Sequence, residues 1–223
     1  MSDGISMKPI GRVESCFGEK FGTPRQSGLV PEARGRIVFS DEVPEGACRG
    51  LEEFSHVWIV FLFDQVSDEG ERWFVRPPRL GGNEKKGVFA TRSPFRPNRI
   101  GLSLVKLEAV GDEAIEVSGL DLVDGTAVLD LKPYLPYVES VSEAVGGFAK
   151  EAPVMLEVDF VDGVKELLSE ERASLIVQVL AVDPRPAYHD DERVYGCLID
   201  GLNVKWQVRD GRVIVLSSDS VIR

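Results

Sequence analysis

The sequence predicts a mainly β protein, with an N-terminal β-barrel domain followed by a small α+β domain. Short apolar segments separated by Gly- and Pro-containing turns fill the first 135 residues, without a long amphipathic helix. This pattern is typical of a closed or nearly closed barrel. Residues 133–153 then hold three prolines and two adjacent glycines, which indicates a linker. We therefore expect one domain over residues 1–140 and a second over residues 141–223.

The strands of the first domain are expected in five segments. These are residues 35–39, 54–63, 102–110, 114–118 and 127–131. The segment 54–63 is the most apolar, so we expect it to be buried on both faces. His56 lies within it, and we interpret this residue as a hydrogen-bonded core histidine rather than a catalytic base.

The second domain mixes both periodicities. Residues 154–160 alternate as a strand does, and a helical pattern runs from a cap at Asp162 to about residue 180, with a split expected at Ser169-Glu170. Three further strands are expected at residues 194–199, 204–208 and 213–216. Asp200-Gly201 and Asp210-Gly211 have the composition of two-residue hairpin turns.

The charge of the chain is unevenly distributed. The whole chain carries −11, yet residues 72–106 contain nine basic residues and one acid. This window carries +8, which leaves −19 for the remainder. A local basic surface of this kind is what a phosphate backbone requires, whereas the acidic remainder would repel nucleic acid elsewhere.

Several function classes lack their sequence signatures. The chain has no Gly-x-Gly-x-x-Gly after a strand, no P-loop, no Gly-x-Ser-x-Gly and no His-Glu-x-x-His. Three scattered cysteines and two isolated histidines predict neither a disulfide framework nor a metal site. Residues 1–9 have no apolar core of a signal peptide, and no segment is long enough to span a bilayer. We expect a cytoplasmic protein.

Two stiff basic loops carry the candidate binding chemistry. Pro94 and Pro97 restrict the backbone between Arg92 and Arg99, so its three arginines would lose little entropy on gripping phosphate or carboxylate. A second such loop covers residues 76–83. The alternative for both is an ordinary solvated basic loop. Residues 120–125 place two aspartates around an apolar pair, either to hold a nucleoside or simply to close a turn.

Long strings of this sequence resemble the TsaA-like family, also called TrmO. They are PRQSGLV, RGLEEFSHVW, RPPRLGG, GVFATRSPFRPNRIGLSLV, LDLVDGTAVLDLKPYLPY and DPRPAY, spread over nearly the whole chain. The resemblance implies a homodimeric β-barrel methyltransferase that uses S-adenosylmethionine. The implied reaction is methylation of the exocyclic amine of N6-threonylcarbamoyladenosine, next to the anticodon of threonine-type tRNA.

The family's cofactor site carries over by position. It implies that twelve residues contact S-adenosylmethionine: Pro24, Arg25, Gln26, Asp64, Gln65, Arg92, Leu102, Leu120, Asp121, Leu122, Val123 and Asp124. Related sequences often have His where this chain has Asp64, so the sequence departs from the pattern at that position.

Catalytic and RNA-binding roles are assigned from residue chemistry. We nominate Asn98 or Asp124 as the group that accepts a proton from the target amine. Tyr134 and Tyr137 are candidates for stacking on the base, or else apolar plugs at the barrel rim. The arginines expected to contact the RNA backbone are Arg76, Arg79, Arg96 and Arg99.

Two other functions remain open at this stage. The first is a non-catalytic module that binds S-adenosylmethionine or RNA, and the second is an unrelated nucleotide-binding barrel. The resemblance favours the methyltransferase over both.

Overall fold

The computed structural model describes residues 5–66, 72–77, 83–186 and 193–220. The strands of the first part of the chain are β1 (Gly11–Ser15), β2 (Gly35–Phe39), β3 (His56–Leu62), β4 (Phe74–Val75), β5 (Lys86–Gly87), β6 (Ile100–Val110), β7 (Ala114–Ser118) and β8 (Ala127–Pro133). Six of them close a barrel in the order β1-β2-β7-β6-β3-β8, and β4 pairs with β5 in a separate two-stranded ladder. The predicted barrel is therefore confirmed.

Strand β1 closes the barrel and was missed by the sequence analysis. It pairs antiparallel with β2, where Val13 lies opposite Ile37, and also with β8, where Gly11 lies opposite Val128. Its five residues begin with Gly and include two charged side chains, so the strand has a weak sequence signal. Its buried residues nevertheless alternate with exposed ones, as expected for a strand with one face on the core.

The longest strands also present one face to the core. On β3, Val57, Ile59 and Phe61 are buried and the residues between them are half-buried. The prediction that this strand is buried on both faces was therefore wrong for one face, which is only half-buried. His56 is half-buried, and its Nδ1 lies 2.9 Å from the Ser55 hydroxyl, in keeping with a structural histidine.

A second sheet follows the linker. Its strands are β9 (Glu157–Phe160), β10 (Tyr195–Ile199), β11 (Leu202–Arg209) and β12 (Arg212–Ser220), in the order β10-β11-β12-β9, with β9 parallel to β12. The linker contains the short helix α1 (Pro136–Glu139). The predicted hairpin turns are confirmed, because Asp200, Gly201, Asp210 and Gly211 all have positive φ.

One regular helix, α2 (Glu170–Ala181), lies in this second part. The Ser169 hydroxyl accepts a hydrogen bond from the Arg172 amide and caps its N-terminus. The helix therefore begins at the split that the sequence predicts, whereas a short 3-10 turn at Lys165–Leu167 replaces the expected earlier half. Among the described residues, no helix is long and apolar enough to cross a membrane.

The connection from β1 to β2 lies between the barrel and the second sheet. Phe17 forms a bridge with Ile199, and the Asp200 amide donates to the Cys16 carbonyl at 2.7 Å. Further along, the Gln178 amide oxygen accepts from the Glu32 backbone at 3.1 Å. One continuous apolar core spans both parts, so the second sheet braces this connection.

Gly101 of β6 allows a close approach that a larger residue would prevent. A Cβ atom at this position would overlap the ring of Phe61, its partner across the β3–β6 ladder. We expect Gly101→Ala to lower the free energy of unfolding by about 1–3 kcal/mol, because overpacking forces the ring or the strand to move. Urea unfolding measures the change.

Gly87→Ala is the matched control, since a Cβ at Gly87 would meet nothing within 4 Å. A Gly101→Ala variant as stable as the Gly87→Ala variant would contradict this account of the β3–β6 contact.

Candidate active site

A cleft with a volume of about 1710 Å³ opens at one end of the barrel. Strand β3 ends there and β6 begins there, because Leu62 pairs with Ile100. The cleft is lined by the residues after β3, by the Pro-rich loop before β6 and by the connection from β1 to β2. These segments are distant in sequence, and barrel closure brings their ends together.

A chain of hydrogen bonds links the basic loop to the β1–β2 connection. The Arg92 guanidinium donates to the Gln26 amide oxygen, and the Gln26 amide nitrogen donates to the Arg25 carbonyl. The Arg25 guanidinium in turn donates to the Arg185 carbonyl at 2.8 Å. Arg92 and the segment around Gln26 are thus held together on one wall, and that wall is tied to the loop after α2.

Asp121 places a carboxylate in the same cleft. Its Oδ1 accepts a hydrogen bond from the Ser103 hydroxyl at 2.5 Å. Burial raises the pKa of Asp121 to about 6; hydrogen bonds from Ser103 and from the backbone of Ser27, together with the charge of Arg92, oppose that rise. The group is therefore mostly ionised at neutral pH, although its surroundings penalise the charge.

The residues after β3 complete the inner part of the cleft. The Gln65 amide donates to the Asp124 carbonyl at 2.6 Å. Asp64 pairs with Arg12 at 3.4 Å, and the same Arg12 nitrogen donates to the Gly125 carbonyl at 2.6 Å. Asp64, which stands where related sequences often have His, is thus a carboxylate paired with the Arg12 guanidinium.

Ten of the twelve residues expected to contact the cofactor line this one cleft. Leu120 does not, because its side chain is fully buried in the barrel core. Asp124 is exposed and is not among the lining residues, and its carboxylate accepts the Ser15 amide at 2.9 Å. The turn interpretation of this aspartate therefore has direct structural support, and its role as a proton acceptor has none.

The arginines expected to contact RNA divide into two groups. Arg76 and Arg96 line the cleft, as does Asn98, the candidate proton acceptor, which is exposed within it. Arg99 does not line it; its backbone has positive φ, and its carbonyl accepts the Phe63 amide at 2.8 Å. Arg79 lies outside the described residues.

The two tyrosines proposed for stacking lie at the other end of β3. The Tyr134 amide donates to the His56 carbonyl at 3.0 Å, and its ring packs edge-on against Trp58. Tyr137 follows on α1, and neither tyrosine lines the cleft. The placement supports the alternative of rim packing for Tyr134 over base stacking in this cleft.

The sequence analysis missed three kinds of lining residue. Ser103 is a buried polar residue on an otherwise apolar strand face, and that break in the alternation was a usable signal. Phe148, Val182 and Pro184 come from the linker and the second domain, and only the three-dimensional packing reveals their contribution. Phe74 and Phe89 were also missed, because isolated phenylalanines look like core residues in a sequence.

A closed barrel, with a cleft at one end that is lined by six basic residues and by the half-buried carboxylate of Asp121, defines a β-barrel class of ligand-binding protein. Comparison with known proteins makes the assignment specific. The family model of the tRNA-methyltransferase O N-terminal domain matches residues 12–140, and that of the TrmO C-terminal domain matches residues 153–220. The chain therefore belongs to the TrmO family, which confirms the resemblance seen in the sequence.

Individual relatives agree with this assignment. The tRNA (adenine(37)-N6)-methyltransferase of Escherichia coli is 46% identical over 221 residues, which cover 92% of this chain and 94% of that protein. A Pseudomonas aeruginosa protein, RcsF, named as a candidate S-adenosylmethionine-dependent methyltransferase, is 46% identical over 90% of this chain and 91% of its own length. The crystal structure of TrmO from Pseudomonas aeruginosa superposes with a TM-score of 0.82 at 38% identity, covering 98% of this chain and 99% of that one.

The raised pKa of Asp121 predicts a stability effect with a defined sign. A pKa near 6 in the folded state, above the ordinary value of 3.8, means that ionising this group destabilises the fold as the pH rises from about 4 to 6. We expect Asp121→Asn to be more stable than the wild type at pH 7, by at most about 3 kcal/mol. The gain should shrink towards zero near pH 4.

Urea unfolding of both proteins between pH 4 and pH 8 measures this difference, and subtraction cancels the titration of all other groups. A difference that is constant with pH, or that favours the wild type at pH 7, would contradict the buried-carboxylate account.

Proposed function

We propose that this chain transfers a methyl group from S-adenosylmethionine to the exocyclic N6 amine of adenosine 37 of tRNA. The observation that carries the proposal is that one cleft is lined by ten of the twelve residues expected to contact the cofactor, and also by Arg76 and Arg96 of the two basic loops. The printed name of the Escherichia coli relative supports the same reaction and the same nucleoside position. As to the finer substrate, we propose threonine-type tRNA whose adenosine already carries the threonylcarbamoyl group.

The residues of the cleft fit the methyl donor. When bound, S-adenosylmethionine supplies a methyl group activated by a positively charged sulfur. The carboxylate of Asp121 provides negative charge for a cationic ligand, and the apolar pair Leu122 and Val123 provides a surface for an adenine ring. The cleft volume of about 1710 Å³ exceeds the roughly 300–1,000 Å³ of an ordinary small-molecule site, so a nucleotide can occupy the cleft beside the donor.

The chain's own contribution to the chemistry is mainly positioning. An in-line methyl transfer needs the acceptor amine held on the axis of the bond that breaks, which stiff surroundings favour. Pro94 and Pro97 stiffen the loop that carries Asn98 into the cleft. The amide oxygen of Asn98 is the group that we propose for accepting a hydrogen bond from the amine, whose lone pair is otherwise delocalised into the ring.

The threonylcarbamoyl group adds a carboxylate to the substrate. Arg76 and Arg96 line the cleft, and a guanidinium binds a carboxylate or a phosphate through paired hydrogen bonds. We propose that these two residues bind that carboxylate or the neighbouring phosphates.

Three further features belong to the same proposal. We propose a domain boundary near residue 140, which is supported by the end of the barrel strands at Pro133 and the start of the second sheet at Glu157. A homodimer is proposed from the family resemblance. Action in the cytoplasm follows from the location of the tRNA substrate.

The experiment that tests the function is transfer of a labelled methyl group from S-adenosylmethionine to tRNA. We expect label in threonine-type tRNA that carries the threonylcarbamoyl group, and mass spectrometry should locate it on N6 of adenosine 37. The same tRNA without that group is the matched control, and we expect it to receive little label. Tight cofactor binding without label in either tRNA would favour a non-catalytic binding module instead.

Reversing the charge of Arg96 should weaken RNA binding. Arg96 lines the cleft and is half-buried there, with one guanidinium nitrogen 3.4 Å from the Thr91 carbonyl. We expect Arg96→Glu to lower tRNA affinity about tenfold and to reduce the slope of log affinity against log salt by about one, because one phosphate contact is lost. Equilibrium binding at several salt concentrations gives both quantities.

The control is Lys205→Glu, an equal charge reversal at an exposed position of β11 in the second sheet. Equal losses of affinity in the two variants would mean that net charge, rather than the cleft, determines the effect.

A further inference from the structure

We propose that Trp73, Phe74 and Phe89 form a stacking surface for unpaired RNA bases at the mouth of the cleft. We call these three residues the aromatic rim. The proposal rests on the proposed function, because it assumes that RNA is the substrate, and it adds the surface that grips the nucleotides around the target.

The aromatic rim is assembled by the small β4–β5 ladder. Phe74 lies opposite Gly87 in that ladder, and the Val88 amide donates to the Trp73 carbonyl at 3.0 Å. Phe89 follows on a 3-10 turn, Val88–Ala90. The rings of Trp73 and Phe89 meet edge to face with their centroids 6.0 Å apart, so residues 16 positions apart in sequence form one surface.

All three side chains of the aromatic rim are exposed. Trp73 is 57%, Phe74 69% and Phe89 73% exposed. Val88, which lies between β5 and Phe89, is buried and anchors this part of the chain to the protein. A cluster of large apolar side chains held out in water marks an interaction site more often than it serves the fold.

The charges around the aromatic rim select RNA as its occupant. The cleft is lined by six basic residues and two acidic ones, in a chain whose net charge is −11. Phe74 and Phe89 line the same cleft as Arg76 and Arg96, and the Arg72 guanidinium lies over the Phe95 ring at 4.5 Å. Aromatic faces interleaved with arginines are the surface that binds unstacked bases and their phosphates.

A second copy of this chain is a weaker occupant on the same observations. Two copies that met through this surface would bring their basic clefts face to face, and like charges brought together cost free energy. An RNA loop supplies both the bases for the rings and the phosphates for the guanidinium groups.

The test is equilibrium binding of an anticodon stem-loop RNA of threonine-type sequence to the full chain. We expect Trp73→Ala and Phe89→Ala each to weaken binding about 5- to 150-fold, the effect of losing one base–aromatic stack. The salt slope should stay that of the wild type, because stacking releases no counterions. Leu167→Ala, at an exposed apolar position of the second domain, is the matched control and should bind like the wild type.

Tryptophan fluorescence gives a second readout. Trp206 is fully buried and Trp58 is half-buried near Tyr134, so RNA bound at the aromatic rim should quench Trp73 selectively. Trp73→Phe should lose this quenching and keep nearly normal affinity, since it retains an aromatic face.

Two results would overturn the proposal. One is wild-type RNA affinity in both alanine variants while the wild type methylates tRNA normally, which would leave the proposed function intact. The other is a change of oligomeric state in those variants, measured by light scattering, which would assign the aromatic rim to contact with a second copy. If the wild type neither binds nor methylates RNA, the proposed function itself fails.

Discussion

Strand β1 hydrogen-bonds to β2 along one edge and to β8 along the other, and the arrangement of the cleft depends on this double pairing. With both edges of β1 occupied, the six strands leave no open edge in the barrel. The chain leaving β1 then has to return to β2 at the same end at which β3 finishes and β6 starts. The connection that carries Gln26 is thereby placed opposite the loop that carries Arg92, and the hydrogen bond between their side chains joins two segments that only barrel closure brings together. The second sheet stabilises the arrangement from outside, through contacts such as the Phe17–Ile199 bridge.

The sequence predicted the barrel from local signals, whereas the residues expected to contact the cofactor came from the family resemblance, and ten of those twelve line the cleft. Patterns of apolar residues indicated four of the six barrel strands, and a fifth strand, β3, lies within a longer predicted apolar segment. Pro94 and Pro97 indicated a stiff loop, and the arginines of that loop are not suited to packing in a core. The turn at Asp200-Gly201 followed from the backbone preference of that pair. What escaped prediction depends on tertiary contacts. β1 is short and contains two charged residues, so its pairing with a strand on each edge determines its structure. The helix cap was predicted at Asp162, but the residue that caps the regular helix is Ser169.

Tyr134 and Tyr137 were predicted to stack on a base from their chemistry. In the structure β8 separates both of them from Asp121, and neither lines the cleft. Their contact with RNA stays a prediction. Phe74 and Phe89 are ordinary phenylalanines in the sequence, and only their exposure beside a basic cleft distinguishes them from core residues. A carboxylate beside a glycine is also suited to closing a turn, and the hydrogen bond that Asp124 accepts from the Ser15 amide supports that interpretation.

The cleft has chemically different ends, and this difference matches a reaction between a cationic donor and an anionic acceptor. At the inner end, Asp121 is half-buried beside Ser103, where the partial loss of hydration penalises its charge. A positively charged ligand beside that carboxylate would offset this cost. The desolvation penalty is incurred on folding, and ligand binding would recover part of it. At the mouth, guanidinium groups and exposed rings offer contacts that suit phosphates and bases. Under the proposed function, the donor's methyl group and the acceptor's amine would meet between these two groups of residues, near Asn98.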